Sequence, residues 1–539
     1  MEWKYFRRTL KNIMKNSYIT ALMLIVALGA KAQHVSTFTS VNPVDIQDSY
    51  ITIPPTHAFQ LLFHSGDALT EGGEVGTWSD FTGFVPVSGS STEGRLCVNS
   101  EFVPGGVSIH DLEFNATTNL WDITASGGVD FSAFNCLIAG GTVANCSGGI
   151  TPWGTMVTCE ENTESFICSY EGYKNFGWNV EIDPVTRTVI DQNNSGTPDK
   201  LWAMGRMKHE NVCFTADSLI SYFGDDNSAS GYLYKFVMAQ KANLSEGDLF
   251  VYVLNEQTLN GQWVQVPNTT VDNRNNTISI SQGLGATPYD RIEDVEIGPD
   301  GKIYFASTGA DRIYRLNQDG SSFEVYADNI DVTIAYEGGT KTVRFDSPDN
   351  LCFDNLGNLW VNQDGGNNYL WVIDADHTLA SPKVRMFANT PKGCESTGIT
   401  FTPDFRYMFL SIQHPDATNA ATQTDAADQN VVFSKDATLV IARSEYLGAP
   451  SSVADAQIFD AQKCFVDMDG RLFSSFISRV HGQATVEVVD MAGHVVRATS
   501  LPVHIGLNNF HVNMNGVAKG AHVLRVALGN RAFSTKFVR

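Results

Sequence analysis

The chain has 539 residues, 43% hydrophobic and 18% charged, with 46 glycines, which is too long for one ordinary domain and too apolar for intrinsic disorder or collagen. Its formal charge of −23 opposes binding to nucleic acid or anionic membranes and favours cations as partners. The charge is uneven: residues 1–32 carry +5, residues 464–539 carry +4, and the stretch between them −32, a surplus that weakens the compact state by self-repulsion unless bound cations offset part of it.

The first predicted element, residues 1–32, is a secretory signal. Lys4, Arg7, Arg8, Lys11 and Lys15 precede an apolar run from Ala21 to Leu28, and Ala30-Lys31-Ala32 before Gln33 fits a small-x-small cleavage site. Met14 begins a complete signal by itself. The run is too short to span a bilayer and no later stretch looks transmembrane, so the expectation is export without a membrane anchor. Nine cysteines in an exported chain leave one over after pairing. Cys136 and Cys146 lie in a Gly-rich loop suited to a local disulfide. Cys213 and Cys352 take matching places in two apolar strands, as buried structural thiols.

From residue 33 to residue 448 the chain repeats one unit. Three segments align, Ile297 to Thr308, Phe353 to Asp364 and Phe401 to His414, with a looser copy from Val212 to Asp225. Each reads as a strand, a tight turn marked by Gly or Pro-Asp, and a second strand rich in aromatic and branched residues. Two further second strands end alike, at Glu101 and at Glu160. Six such units with almost no helical periodicity predict an all-β chain whose main domain is a six-bladed β-propeller. Trp153, Trp360 and Trp371 are expected to pack between blades.

Acids flank these hairpins. Glu210, Glu293, Asp349 and Glu395 precede first strands; Glu101, Glu160, Glu161, Asp225, Asp226, Asp364 and the imidazole of His414 follow second strands. The start of one hairpin strand and the end of its partner lie at the same end of the sheet, so all fall on one rim. If those strands are innermost, about ten carboxylates converge on the central channel, where like charges raise one another's pKa unless metal ions neutralise them. Oxygen-rich sets suit Ca2+, Mg2+ or Mn2+, and a thiolate at Cys159 with an imidazole at His209 or His414 adds a softer metal such as iron. Arg291, Lys208 and Arg344 lie beside the acidic positions and offer charge for an anionic substrate. There is no G-x-S-x-G, P-loop or H-E-x-x-H motif, and Asp467-Met468-Asp469-Gly470 is a fragment of an EF-hand loop.

At Thr151-Pro-Trp-Gly-Thr-Met-Val-Thr-Cys-Glu-Glu-Asn162 the sequence resembles the PhoX-type alkaline phosphatases, whose marker is TPWGT followed by TCEEN. The resemblance continues through Gly205 to Glu210, Tyr222 to Asp226, Tyr232 to Phe236, Glu293-Asp294, Ser347 to Asn350 and Gln413 to Pro415, and spans about residues 45 to 445. It implies a propeller phosphatase that holds an oxo-bridged calcium and iron cluster, Ca2+ with Fe3+, and hydrolyses small phosphate monoesters outside the cytoplasm. Carried over, Cys159 matches the iron-ligating cysteine, Glu210 a carboxylate of the same cluster, Glu160, Glu293 and Glu395 further metal ligands, and Arg291 a phosphate-contacting arginine. Glu101, Glu161, Asp225 and Asp349 complete the expected metal set, with Lys208 on the substrate. Arg291-Ile292-Glu293 departs from the family's Arg-Pro-Glu, and Asn99-Ser100-Glu101 from its Asn-His-Glu.

Residues 449–464 read as a linker and residues 465–539 as a small β-sandwich. With its Asp490-Met-Ala-Gly493 turn, the late strand after Gly520 and a basic terminus, this segment resembles a type IX secretion sorting domain, which implies the secretion machinery of the outer membrane as a partner and a secreted or cell-surface product. An adhesive or carbohydrate-binding sandwich is the rival for this segment. Two other readings share the acidic rim: a calcium propeller hydrolase of the lactonase or paraoxonase kind, which needs neither Cys159 nor a phosphate-binding arginine, and a non-enzymatic propeller braced by ions.

Overall fold

The computed structural model describes residues 34–134, 141–164, 169–228, 230–448, 459–466, 471–478, 482–490, 493–504, 506–528 and 531–539. The expected signal segment, Cys136, residues 449–458 of the expected linker and the fragment at 467–470 lie outside them. Two compact units divide the chain, Met1–Gly448 and Ala449–Arg539.

In the first unit the hairpin signals become six antiparallel sheets of four or five strands among the described residues. Their first strands are Ser79–Pro86, Asn145–Ile150, Cys213–Phe214, Ile292–Ile297, Pro348–Phe353 and Glu395–Phe401. Each pairs with the next strand in sequence, and the six pack side by side in a closed ring. They are therefore innermost and surround a central channel, which makes the unit a β-propeller. The outermost strand of the sixth sheet is His57–His64, which pairs antiparallel with Ala437–Arg443 and so ties the start of the unit to its end.

The turns form where the sequence supplies a left-handed residue and a side-chain acceptor. Gly301 and Gly357 sit at φ of 75° and 82°, and Asp354 Oδ1 accepts the Leu356 and Asn358 amides at 2.9 Å each. Side chains alternate along the strands, so each sheet buries one apolar face against either neighbour. Trp360 of the fifth sheet is fully buried against Phe387 and against Phe401 of the sixth, with ring centroids 4.9 and 5.4 Å away. Burial of such a side chain contributes about 2–3 kcal/mol. Trp371 is equally buried, and Trp153 packs against Phe214 of the third sheet.

Among its described residues the second unit contains two antiparallel sheets. One holds Phe459–Val466, Arg471–Ser478 and Gly506–Asn513; the other holds Val495–Val503, Gly482–Asp490, Ala521–Leu528 and Arg531–Val538. Phe476 and Val512 from the first and Val486, Leu524 and Val526 from the second share one core. The first strand starts at Phe459, inside the stretch read as linker, because the preceding Pro-Ser-Ser composition masks where pairing resumes. The Asp490 turn forms as its residues require: Asp490 Oδ1 accepts the His494 amide at 2.9 Å, and Gly493 takes φ of 89°.

Candidate metal centre

Every sheet of the propeller repeats one irregularity. Ser79 pairs with Ser100 but Thr82 with Val98, so the first strand carries one extra residue. The same one-residue shift falls between Asn145 and Gly148, between His209 and Cys213, between Ile292 and Val295, between Pro348 and Leu351, and between Thr397 and Thr400. A bulge of this kind bends the strand and re-aims a side chain. The first bulged residue of successive sheets is Asp80, Cys146, Glu210, Glu293, Asp349 and Gly398. Five of six are metal-ligand types delivered from one structural position. At the sixth, φ of 57° and a built Cβ only 2.2 Å from the Thr82 amide nitrogen exclude a side chain, and the sheet offers Glu395 from the start of its longer strand. The second strands add a further tier one residue beyond their last pairs: Glu101, Glu161, Asp226, Thr308 and Asp364.

Eight of these side chains gather into three groups whose ligand atoms lie within 4.8 Å of one another: Asp80, Glu101 and Cys146; Cys146, Glu161 and Glu210; and Asp349, Asp364 and Glu395. Cys146 belongs to two of them, its Sγ donating to Glu210 Oε1 at 2.9 Å and standing 3.6 Å from Asp80 Oδ2. Gln413 Nε2 donates to Glu101 Oε2 at 2.8 Å, and His414 Nε2 is 3.4 Å from Glu395 Oε2. Two cations border the ring. Arg291 Nε donates to Asp226 Oδ1 at 3.1 Å while Nη2 bonds Glu293, and Lys208 Nζ donates to Glu161 Oε1 at 3.0 Å.

Crowded buried carboxyls resist ionisation. Burial first, then Cys146 as donor against Glu161 and Asp364 as like charges, leaves Asp80 at about 7. Burial with Asp80 and Glu161 pushes Glu101 to about 9, and burial beside Glu293 and Glu161 holds Glu210 well above the carboxylate range. Glu161 goes the other way: against its burial, the Lys208 ammonium holds it below its usual value. Buried oxygens at Asp80 Oδ1 and Glu210 Oε2 have no hydrogen-bond partner, and a bound cation is what such a set satisfies. The donors fit a multi-cation site with one soft position at Cys146.

Cross-sheet hydrogen bonds fix the bulges. Asn99 Nδ2 donates to the carbonyls of Cys146 and Ser147 at 2.7 and 2.9 Å. Asn211 accepts the Val295 amide at 2.9 Å, Asp294 the Leu351 amide at 2.6 Å, and Asn350 the Gly398 amide at 2.7 Å. Thr397 Oγ1 donates to the Ser79 carbonyl at 2.8 Å. Backbone groups released from one ladder are thus satisfied from the adjacent sheet.

Several sequence expectations need correction. Cys159 is fully buried in an apolar cluster with Val157, Met204, Phe223 and Tyr234, because its strand position faces the packing between sheets. Glu160 also points away from the ring: its Oε1 takes the Lys200 ammonium at 2.7 Å and its Oε2 the Trp178 amide at 3.2 Å. Asp225 lies one residue short of the second tier, with Oδ1 on the Lys208 amide at 3.1 Å. His209 bonds the Gly205 carbonyl at 2.9 Å and packs on Phe223. Arg344 pairs with Asp331 at 3.2 Å on an exposed hairpin, Asp331–Tyr336 with Gly339–Arg344. Cys146 carries a free thiol, contrary to the expected disulfide with Cys136. Glu101, Glu161, Glu210, Glu293, Asp349, Glu395, Arg291 and Lys208 lie on the ring, and Asp80 and Cys146 are the members the hairpin pattern did not reach.

Fold and ring together define a metal-binding β-propeller. Residues 130–416 match the family described as Alkaline phosphatase PhoX, and the chain belongs to that family. Among solved structures it is similar to Pseudomonas fluorescens PhoX in complex with vanadate, a transition state analogue, at TM-score 0.59 and 22% identity, over 76% of this chain and 99% of that one. It is also similar to virginiamycin B lyase from Staphylococcus aureus, at TM-score 0.33 and 10% identity over 72% and 99% of the two chains, a likeness too remote to carry an argument. No curated protein matches the chain. Among the described residues no helix is long and apolar enough to cross a membrane.

Proposed function

We propose that this protein is a secreted, metal-dependent phosphatase that hydrolyses small phosphate esters at the acidic ring, with Ca2+ and Fe3+ as its ions. The observation that carries this reading is the delivery of five ligand-type side chains from one bulge position. Carboxylates alone would suit hard cations; the Cys146 thiol, between Glu210 and Asp80, adds the soft donor that favours iron. Asp349, Asp364 and Glu395 form an all-oxygen set for calcium.

When bound, the cations supply Lewis-acid polarisation of a phosphoryl group. Arg291 supplies the matching fork. It is partly exposed, is clamped by Asp226 and Glu293, and keeps its charge despite burial because Glu293, Asp226 and Asp349 surround it. A guanidinium oriented in advance binds phosphoryl oxygens without reorganisation. Lys208, held by Glu161, places a second positive charge on the same rim. The second unit, two sheets with a turn at Asp490 and a basic terminus, is read as the sorting domain that directs the protein through the outer membrane after the segment at 1–32 has taken it into the periplasm.

The test is release of phosphate from p-nitrophenyl phosphate by the purified protein before and after chelation. Activity that disappears with the metals and returns with added calcium and iron supports the reading. A metal-loaded protein that hydrolyses no phosphoester would refute it.

A further inference from the structure

Most large aromatic side chains of the propeller are buried, but Trp78 and Phe102 stand at the ring with 40% and 44% of their surface exposed, next to Val103 at 50%. Trp78 is two residues before Asp80 and Phe102 directly follows Glu101, so the two aromatics flank one ligand group from either strand of the first sheet. Their ring centroids are 5.7 Å apart at 69°, and Trp78 meets the His414 ring at 5.6 Å. Phe102, Trp78 and His414 therefore form a continuous aromatic wall that runs from solvent to Glu395, 3.4 Å from His414 Nε2.

The wall is held in place at some cost. Trp78 adopts φ of 56°, a left-handed conformation that is an outlier for a bulky residue and persists only where its surroundings enforce it. Asp436 Oδ2 accepts the Trp78 amide at 2.8 Å, and the Trp78 carbonyl accepts the Glu101 amide at 2.8 Å. The Phe102 carbonyl accepts the Ala144 amide at 2.8 Å, which links it to the segment bearing Cys146. Exposed aromatics pinned beside buried ligands mark a recognition surface.

We infer that Trp78 and Phe102 form a leaving-group platform, which selects phosphate esters whose leaving group carries a flat aromatic ring, such as a nucleoside, over purely aliphatic esters. The inference rests on the phosphatase reading above and adds the substrate class. With the phosphoryl group at Arg291 and the ring, an ester must extend its leaving group outward. Two aromatic surfaces inclined at 69° let a planar base stack on one and meet the edge of the other.

Adenosine 5′-monophosphate and ribose 5-phosphate test this directly, because the same phosphoester bond breaks in both and they differ at C1, where one carries the base and the other a hydroxyl. The platform predicts kcat/KM higher for the nucleotide on the order of tenfold, the value of one stacking contact, mainly through KM. Phe102→Ala and Trp78→Gly, the latter chosen to retain the left-handed backbone, should lower the nucleotide's kcat/KM on the order of tenfold more than that of ribose 5-phosphate, and Phe102→Tyr should restore the preference. Equal kcat/KM for the two esters in the wild type, or equal losses in the variants, overturns the platform and leaves the phosphatase reading standing. Hydrolysis of neither ester, nor of p-nitrophenyl phosphate, by the metal-loaded protein overturns the phosphatase reading; calorimetric binding of adenosine, present in the wild type and lost in Phe102→Ala, then supports the platform, and its absence from the wild type overturns it.

Discussion

Cys146 Sγ lies 2.9 Å from Glu210 Oε1 although the two residues belong to neighbouring sheets. They meet because both occupy the first bulged position of an inner strand. A thiol between two carboxylates in a fully buried site is held strongly protonated by burial, then by Asp80, Glu101 and Glu210. Neutralising that field takes cations, and a soft cation gains most from the sulfur. The relationship thus joins fold to chemistry: the bulge places the ligand, and the ring's charge makes metal binding favourable.

Arg291 is the test of substrate binding. Arg291→Ala removes the clamped fork, and the expected loss in kcat/KM for a phosphomonoester is on the order of 100-fold or more. Arg291→Lys keeps the charge but not the bidentate geometry and should recover only part of it. Steady-state kinetics decide; a loss under about threefold in both variants would remove Arg291 from the phosphate site.

The Glu160–Lys200 pair makes a stability prediction. Both side chains are buried, and Glu160 also accepts the Val143 amide at 3.3 Å. Lys200→Met strands a buried carboxylate and should cost about 3–5 kcal/mol, while the double variant Lys200→Met, Glu160→Leu should recover much of that loss. Urea denaturation measures both. Neither change removes a ring ligand, so metal content of the folded fraction should persist.

Stability of the metal-free protein should depend on pH in a definite direction. Asp80, Asp225 and Glu101 have values of about 7, 8 and 9 without metal, raised first by burial and then by neighbouring carboxylates. Their unfolded values lie near 4. Between those limits the folded state holds more protons than the unfolded one, so stability is fully present below about pH 4 for these groups and falls as pH rises towards 9. Thermal melts of chelated protein should show Tm falling across that window, and added Ca2+ should flatten the fall. A Tm that rises from pH 5 to 9 without metal would contradict the assignment.

Much of the site was legible because its acids recur at fixed offsets from apolar strand residues. Glu210 precedes Phe214 by four, Glu293 precedes Ile297, and Asp349 precedes Phe353. The same offset relates Asp80 to Phe84 and Cys146 to Ile150, a signal that reaches both missed residues. The signal is obscured because the turn that follows Ser79–Pro86, Val87 to Thr92, lacks the Asp that the aligned units carry there, and because the cysteine of the TCEEN string stands on the second strand of its sheet. There the period-2 alternation turns Cys159 into the core. The strand His57–His64 was not legible, since its partner lies more than 370 residues later and no local pattern encodes such a pairing.

Metal analysis of the Cys146→Ser and Cys159→Ser proteins tests the central claim most directly. The account predicts that Cys146→Ser loses iron, the visible absorption of a ferric thiolate and phosphatase activity together, while Cys159→Ser keeps all three and loses only stability from its apolar site. Retention of iron and activity in Cys146→Ser, with their loss in Cys159→Ser, would contradict it.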